Sequence, residues 1–199
     1  MLERTIVQPD ALKQVFGTDA YCKQGRSYHP HYLYAWRFIL ATGLRPGEMI
    51  GLRHEDIHDS VVSLTRSINI HGEETAGKNK RARRSFVLPP KALEILNDQQ
   101  KYLSMKGIWS PWVFPATDGG QASERAIYKA WRSYCDRLGI PRTSLYELRH
   151  TFVSINYAVP DALLKAMVGH GQSMNTRGQY GHEVDGQKTI TAEMIDHAS

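Results

Sequence analysis

Apolar residues in the first third of the chain fall into short periodic runs, and proline and glycine punctuate them. Pro9-Asp10 opens a helix that the pattern carries to about Phe16, and Gly17 stops it. Residues 18–28 are polar and lack a period, so they read as an irregular connection. Pro30 suits the first turn of a second helix, in which Leu33, Trp36 and Leu40 form an apolar stripe at helical spacing. Gly43 marks its end, and Pro46 begins another short helix directly after Arg45.

The period then changes. Residues 61–65 (VVSLT), 66–70 (RSINI) and 84–88 (RSFVL) read as short strands, with the polar stretch HGEETAGKNKRAR between the second and third. This predicts one small antiparallel sheet with a basic hairpin. From Pro90 onward the pattern is helical, over 90–105, 123–138, 144–158, 161–168, a short piece around 174–180, and 188–197. Ser144 and Glu147 form the S-x-x-E signature of a capping box. The expected fold is mainly α with a small antiparallel β-sheet, an α+β arrangement, and 199 residues suit a single domain.

Composition narrows the setting. Hydrophobic residues make up 41% and charged residues 23%, an ordinary globular balance. No apolar run approaches the roughly 18 residues that span a bilayer. The start, MLERTIVQPD, is charged by its third residue and does not read as a signal peptide. Cys22 and Cys135 make neither a disulfide framework nor a zinc site, which fits a reducing cytoplasm. The net charge of +5 hints at a polyanionic partner. Its placement says more: Lys78, Lys80, Arg81, Arg83 and Arg84 fall within seven residues without an acid among them. Such a run is either a solvated turn or a phosphate-contacting hairpin.

Four segments could build a phosphoryl-transfer site. In ATGLRPGE (41–48), Arg45 lies in a tight turn and Glu48 follows one helical turn later, where it could hold the guanidinium. In the basic hairpin, Lys78 could donate a proton to a leaving oxygen. In SLYELRHTF (144–152), Tyr146 and Arg149 share a helix face, with His150 beside them. In VGHGQSMNTRGQYGH (168–182), His170 follows a helix-ending glycine and Tyr180 comes ten residues later. Each alone has a plainer reading: a surface ion pair, a solvated lysine, an amphipathic helix, a helix-capping histidine. Together they supply what tyrosine attack on a phosphodiester needs. Arginines hold the non-bridging oxygens in a forked geometry and stabilise transition-state charge. A lysine protonates the leaving oxygen, and a tyrosine forms the covalent bond.

On these motifs the sequence resembles the tyrosine recombinases, the phage-integrase family. ATGLRPGEM resembles the family's first arginine box, LYELRHTF its H-x-x-R box, VGHGQSMNTRGQYGH its G-H…Y box and GKNKRARRSFVLP its lysine hairpin. The likeness runs over residues 9 to 197 in the family's order. It implies the DNA breaking-rejoining catalytic fold, filling residues 1–199 as one catalytic domain without the N-terminal DNA-binding domain usual in the family. It implies that Arg45 and Arg149 clamp the scissile phosphate, Lys78 acts as general acid with Lys80 as runner-up, His170 hydrogen-bonds the phosphate and Tyr180 attacks it. Glu48, Tyr146 and His150 would support them, and Lys80, Arg81, Arg83 and Arg84 would contact DNA. No metal or nucleotide cofactor is implied. The implied partner is double-stranded DNA, on which subunits assemble as a tetramer over paired sites in a bacterial cytoplasm.

Two positions depart from the family pattern. Tyr146 stands where the H-x-x-R box has its histidine, and a phenol is a poor proton carrier near neutrality. The interval from His170 to Tyr180 is one residue longer than the family's commonest spacing. Two further readings compete: DNA relaxation in the manner of a type IB topoisomerase, and a DNA-binding module with a degraded site.

Overall fold

The structure, a computed structural model, describes residues 5–75 and 83–169. Helix α1 (Pro9–Gly17) has proline in its first turn and buries Ala11 and Val15. The segment expected to be irregular is a β-hairpin instead. Strands β1 (Tyr21–Lys23) and β2 (Arg26–Tyr28) pair antiparallel around Gln24-Gly25, both at positive φ. Two left-handed residues match the twist of a two-residue hairpin turn.

Helix α2 (Leu33–Thr42) is the centre of the molecule. It starts three residues later than Pro30 suggested, and every residue in it except Ala41 is buried. The sequence stripe therefore understates its burial, because α2 packs on both α4 (Pro90–Lys106) and α6 (Leu145–Ile155). A helix enclosed on all sides is apolar all round. Its one charged residue, Arg37, bonds the Val15 carbonyl at 2.9 Å and pairs with Asp19. Trp36 packs against Trp131 and Tyr134 of α5 (Glu124–Leu138), at centroid distances of 5.2 and 5.3 Å.

The expected single sheet is two. Strand β4 (Val61–Leu64) lies between β3 (Ile57–His58) and β7 (Arg84–Val87), while β5 (Ser67–Ile68) pairs separately with β6 (Glu74–Thr75). The break falls between Leu64 and Ser67, where the Arg66 guanidinium turns in to Asp56, Glu55 and Glu74. Helix α3 (Pro46–Ile50) packs on β5.

The remaining helices stand close to expectation. The Ser144–Glu147 capping box opens α6, with Glu147 N–H donating to Ser144 Oγ at 3.2 Å. Helix α6 ends at Ile155, and α7 (Asp161–Val168) follows. The helices expected near 174–180 and 188–197 lie outside the described residues. Among the described residues, no helix is long and apolar enough to cross a membrane.

Candidate functional site

Gly43 ends α2 in the left-handed conformation, with φ 67° and its N–H bonded to the Ile39 carbonyl. A Cβ there would sit 2.3 Å from the Phe152 ring of α6, so only glycine fits this turn. Arg45 follows as the cap of α3, and Glu48 is its third helical residue. Glu48 Oε2 accepts from the Arg45 N–H at 2.9 Å, and Oε1 accepts from Arg45 Nη1 at 2.8 Å. The local pairing expected from the spacing is therefore present.

Glu48 has a second partner that local spacing does not reveal. Arg84 of β7 donates from Nη1 to Oε1 at 2.8 Å and from Nη2 to Oε2 at 3.0 Å, a bidentate fork. The carboxylate is only 3% exposed. Burial pushes its pKa up, but the Arg84 hydrogen bonds and charge, and then Arg45, outweigh burial and bring it down to about 2. Glu48 is thus an anion under all ordinary conditions.

Arg149 of α6 is fully buried. Its Nη1 donates to the Gly43 carbonyl at 2.6 Å and its Nη2 to the Val168 carbonyl at 2.7 Å. Both acceptors stand at helix C-termini, of α2 and α7, where the carbonyls lack helical partners and carry partial negative charge. Burial first, and then the charge of Arg45, lower the Arg149 pKa to about 10. That is still far above neutrality, so the guanidinium stays positive. Tyr146 is partly exposed on the first turn of α6, its hydroxyl bonds Arg45, and its ring meets His150 edge-on at 5.4 Å. His150 is buried. For Arg45, the loss from burial is outweighed by Glu48 and Tyr146, and its pKa rises. Glu48 pairs with the Arg45 and Arg84 guanidinium groups and a third, Arg149, stands nearby, so the site is net positive, with Arg45 its most exposed arginine at 32% of its side chain.

Arg45, Glu48, Tyr146, Arg149 and His150 are therefore brought together. Lys78, Lys80, Arg81, His170 and Tyr180 lie outside the described residues. Arg83 is exposed immediately before β7. Arg84, expected to contact DNA, has a side chain only 9% exposed and turned inward onto Glu48. The cause is strand parity. Arg84 pairs with Leu64 and Phe86 with Val62, so Arg84 shares the face of the buried Leu64 and Val62. The alternation Arg84, Phe86, Leu88 is the signal that could have placed it.

A second basic surface was not expected from the sequence. Arg125, Tyr128, Lys129, Arg132, Ser133 and Arg142 line an open cleft of about 370 Å³ along α5. Arg125, Lys129 and Arg132 recur at helical spacing on one face, which the sequence does display. Asp136 also lines it and takes a two-point contact from Arg142, whose hydrogen bonds lower the Asp136 pKa. Among the described residues, no group of three or more His, Cys, Asp or Glu side chains could hold a metal ion.

A model of the Phage integrase family matches residues 7–186. A tyrosine recombinase XerC-like protein of Caldanaerobacter subterraneus subsp. tengcongensis is 24% identical over 187 residues, covering 80% of this chain and 48% of its own length. The prophage integrase IntR of Escherichia coli (strain K12) is 24% identical over 221 residues, covering 98% of this chain and 53% of its own. The chain thus spans about half the length of the curated relatives it matches. Among solved structures, the Tn1549 transposon integrase in complex with transposon right end DNA has a TM-score of 0.72 at 19% identity, covering 100% of this chain and 68% of that one. A lambda integrase dimer bound to a COC′ core site has a TM-score of 0.66 at 14% identity, covering 92% and 60%. These likenesses establish a shared fold, that of the tyrosine recombinase catalytic domains.

Proposed function

Because the chain belongs to the phage integrase family, we propose that it carries out site-specific DNA recombination by transesterification, with Tyr180 as the nucleophile. The observation that carries this reading is the arginine cluster. Arg45 stands at its exposed edge, Arg149 is locked to two helix ends, and Glu48 fixes their surroundings. Positive charge held in place without mobile counterions suits a phosphodiester whose non-bridging oxygens gain charge during attack. The tyrosine in the H-x-x-R box fits this reading. Tyr146 bonds Arg45 and so acts by orienting it, which needs no proton transfer.

The reaction has a defined order of bonds. The scissile phosphate docks on the exposed edge of Arg45, with the buried Arg149 charge behind it and His170 bonding an oxygen. The Tyr180 hydroxyl loses its proton to solvent and its oxygen bonds phosphorus, while the bond from phosphorus to the 5′ oxygen breaks. Lys78 gives that oxygen its proton. The products are a 3′-phosphotyrosyl link and a free 5′-hydroxyl, so the phosphodiester energy is conserved. A 5′-hydroxyl from a second strand reverses the step, and subunits paired on two duplexes, as a tetramer, would exchange strands.

Covalent trapping tests this. The protein is incubated with a nicked suicide duplex carrying a candidate crossover site and then denatured. A protein–DNA adduct is expected with the natural sequence and none with Tyr180→Phe. An adduct that survives in Tyr180→Phe would move the nucleophile elsewhere, and the absence of any adduct, also with an upstream DNA-binding domain supplied, would count against the recombinase reading.

We also assign the α5 cleft to duplex binding. Lys129→Ala and Arg132→Ala are each expected to weaken binding, and to lower the slope of log affinity against log salt by about 0.9 for each phosphate no longer neutralised. Titrations at several salt concentrations read this directly. Slopes equal to that of the unsubstituted protein would remove the cleft from the interface.

A further inference from the structure

We propose that Arg84 is a positioning residue that clasps three catalytic segments together, and not a DNA contact. The proposal rests on the recombinase reading and adds a residue to its machinery. Arg84 lies on β7, directly after the chain segment that holds Lys78. Its Nη1 and Nη2 bind both oxygens of Glu48, three residues past Arg45. Its Nε donates to the Met167 carbonyl at 2.7 Å, three residues before His170 in the chain. One planar group therefore ties the lysine segment, the first arginine box and the end of α7.

The surroundings are shaped to that group. Helix α7 ends at Gly169 with φ +72°, and a Cβ there would stand 2.8 Å from Arg84 Nη1 and 3.0 Å from Cζ. The backbone leading to His170 thus lies directly against the guanidinium, a contact that only glycine allows. The last carbonyls of α7 are divided between two arginines, Met167 to Arg84 and Val168 to Arg149. Those two guanidinium groups take up the carbonyls left open where α7 ends at Gly169. Glu48 likewise faces two arginines, Arg84 from the side and Arg45 from its own helix. A lysine at position 84 would keep the charge, but a single ammonium cannot span two carboxylate oxygens and a carbonyl in one plane.

The test separates positioning from phosphate contact. Arg84→Met and Arg84→Lys are compared with the unsubstituted protein for duplex affinity, for its salt slope and for the single-turnover rate of adduct formation at saturating suicide duplex. Positioning predicts unchanged affinity and salt slope, with the rate down by about 10²-fold in Arg84→Met. Arg84→Lys should regain only part of that rate and, since it retains the charge, serves if Arg84→Met does not fold. In a Glu48→Gln background, Arg84→Met should cost far less than it does alone, because it acts through that carboxylate. A salt slope lower by about 0.9 with full rate at saturation would make Arg84 a phosphate contact and overturn the proposal. An unchanged rate and slope in Arg84→Met would overturn it as well. Failure of the unsubstituted protein to form an adduct is a different result, which counts against the recombinase reading itself.

Discussion

Arg149→Ala is expected to leave the protein without strand cleavage and with a weakened fold. The substitution strips the Gly43 and Val168 carbonyls of their charged donor in a fully buried place. Hydrogen bonds to charged groups contribute about 1.5–3 kcal/mol each, so two of them put the loss at roughly 3–6 kcal/mol. Domains of this size are stable by only about 5–15 kcal/mol, so the change is visible in any unfolding curve. Arg149→Lys is the sharper probe. It keeps the charge and one hydrogen bond, so urea unfolding should show a smaller loss. Its cleavage should still fall by about 10²–10³-fold, the usual effect of removing a transition-state donor. A lysine variant that cleaves as fast as the unsubstituted protein would show that cleavage does not depend on the Arg149 guanidinium.

The difference between Arg45 and Arg84 shows how much of this site the sequence displays. Arg45 and Glu48 are three residues apart, and a helix brings such residues together whatever surrounds it. The Ser144–Glu147 box is legible for the same reason, as are helix boundaries marked by proline and glycine. Arg84 reaches Glu48 across 36 positions, and the neighbouring cations make its run look uniformly solvated. Only strand parity with Phe86 and Leu88 turns it inward. Arg149 can be picked out by its motif, but its partners are backbone carbonyls, which no side-chain pattern encodes. The β1–β2 hairpin is hidden because its strands are three residues long and largely exposed, so no apolar alternation marks them. One sheet becomes two between Leu64 and Ser67, where the Arg66 guanidinium meets an acidic cluster of residues 55, 56 and 74 that no local pattern displays.

Glu48 is where acid should act on this fold. Its pKa falls from 4.5 unfolded to about 2 folded, so between those values the unfolded chain binds more protons than the folded one. Stability therefore rises with pH across that window. The contribution is complete above about 4.5 and is lost as pH falls through about 2. Such a shift corresponds to roughly 3 kcal/mol, and with only 4% of the side chain exposed there is little solvent screening to reduce it. Glu48→Gln removes the anion and leaves Arg45, Arg84 and Arg149 close together without it. Breaking a buried pair in this way costs about 3–5 kcal/mol at neutral pH. In acid the natural carboxyl is itself protonated, so the two proteins should converge. Asp136, whose pKa is also lowered, is exposed and present in both proteins, so it cancels in the difference. Urea unfolding of the pair, repeated from neutral pH down toward pH ~2, measures that difference directly. A gap that stays constant over the whole range would mean that the Glu48 charge does not hold the arginines together, and the clasping role of Arg84 would fall with it.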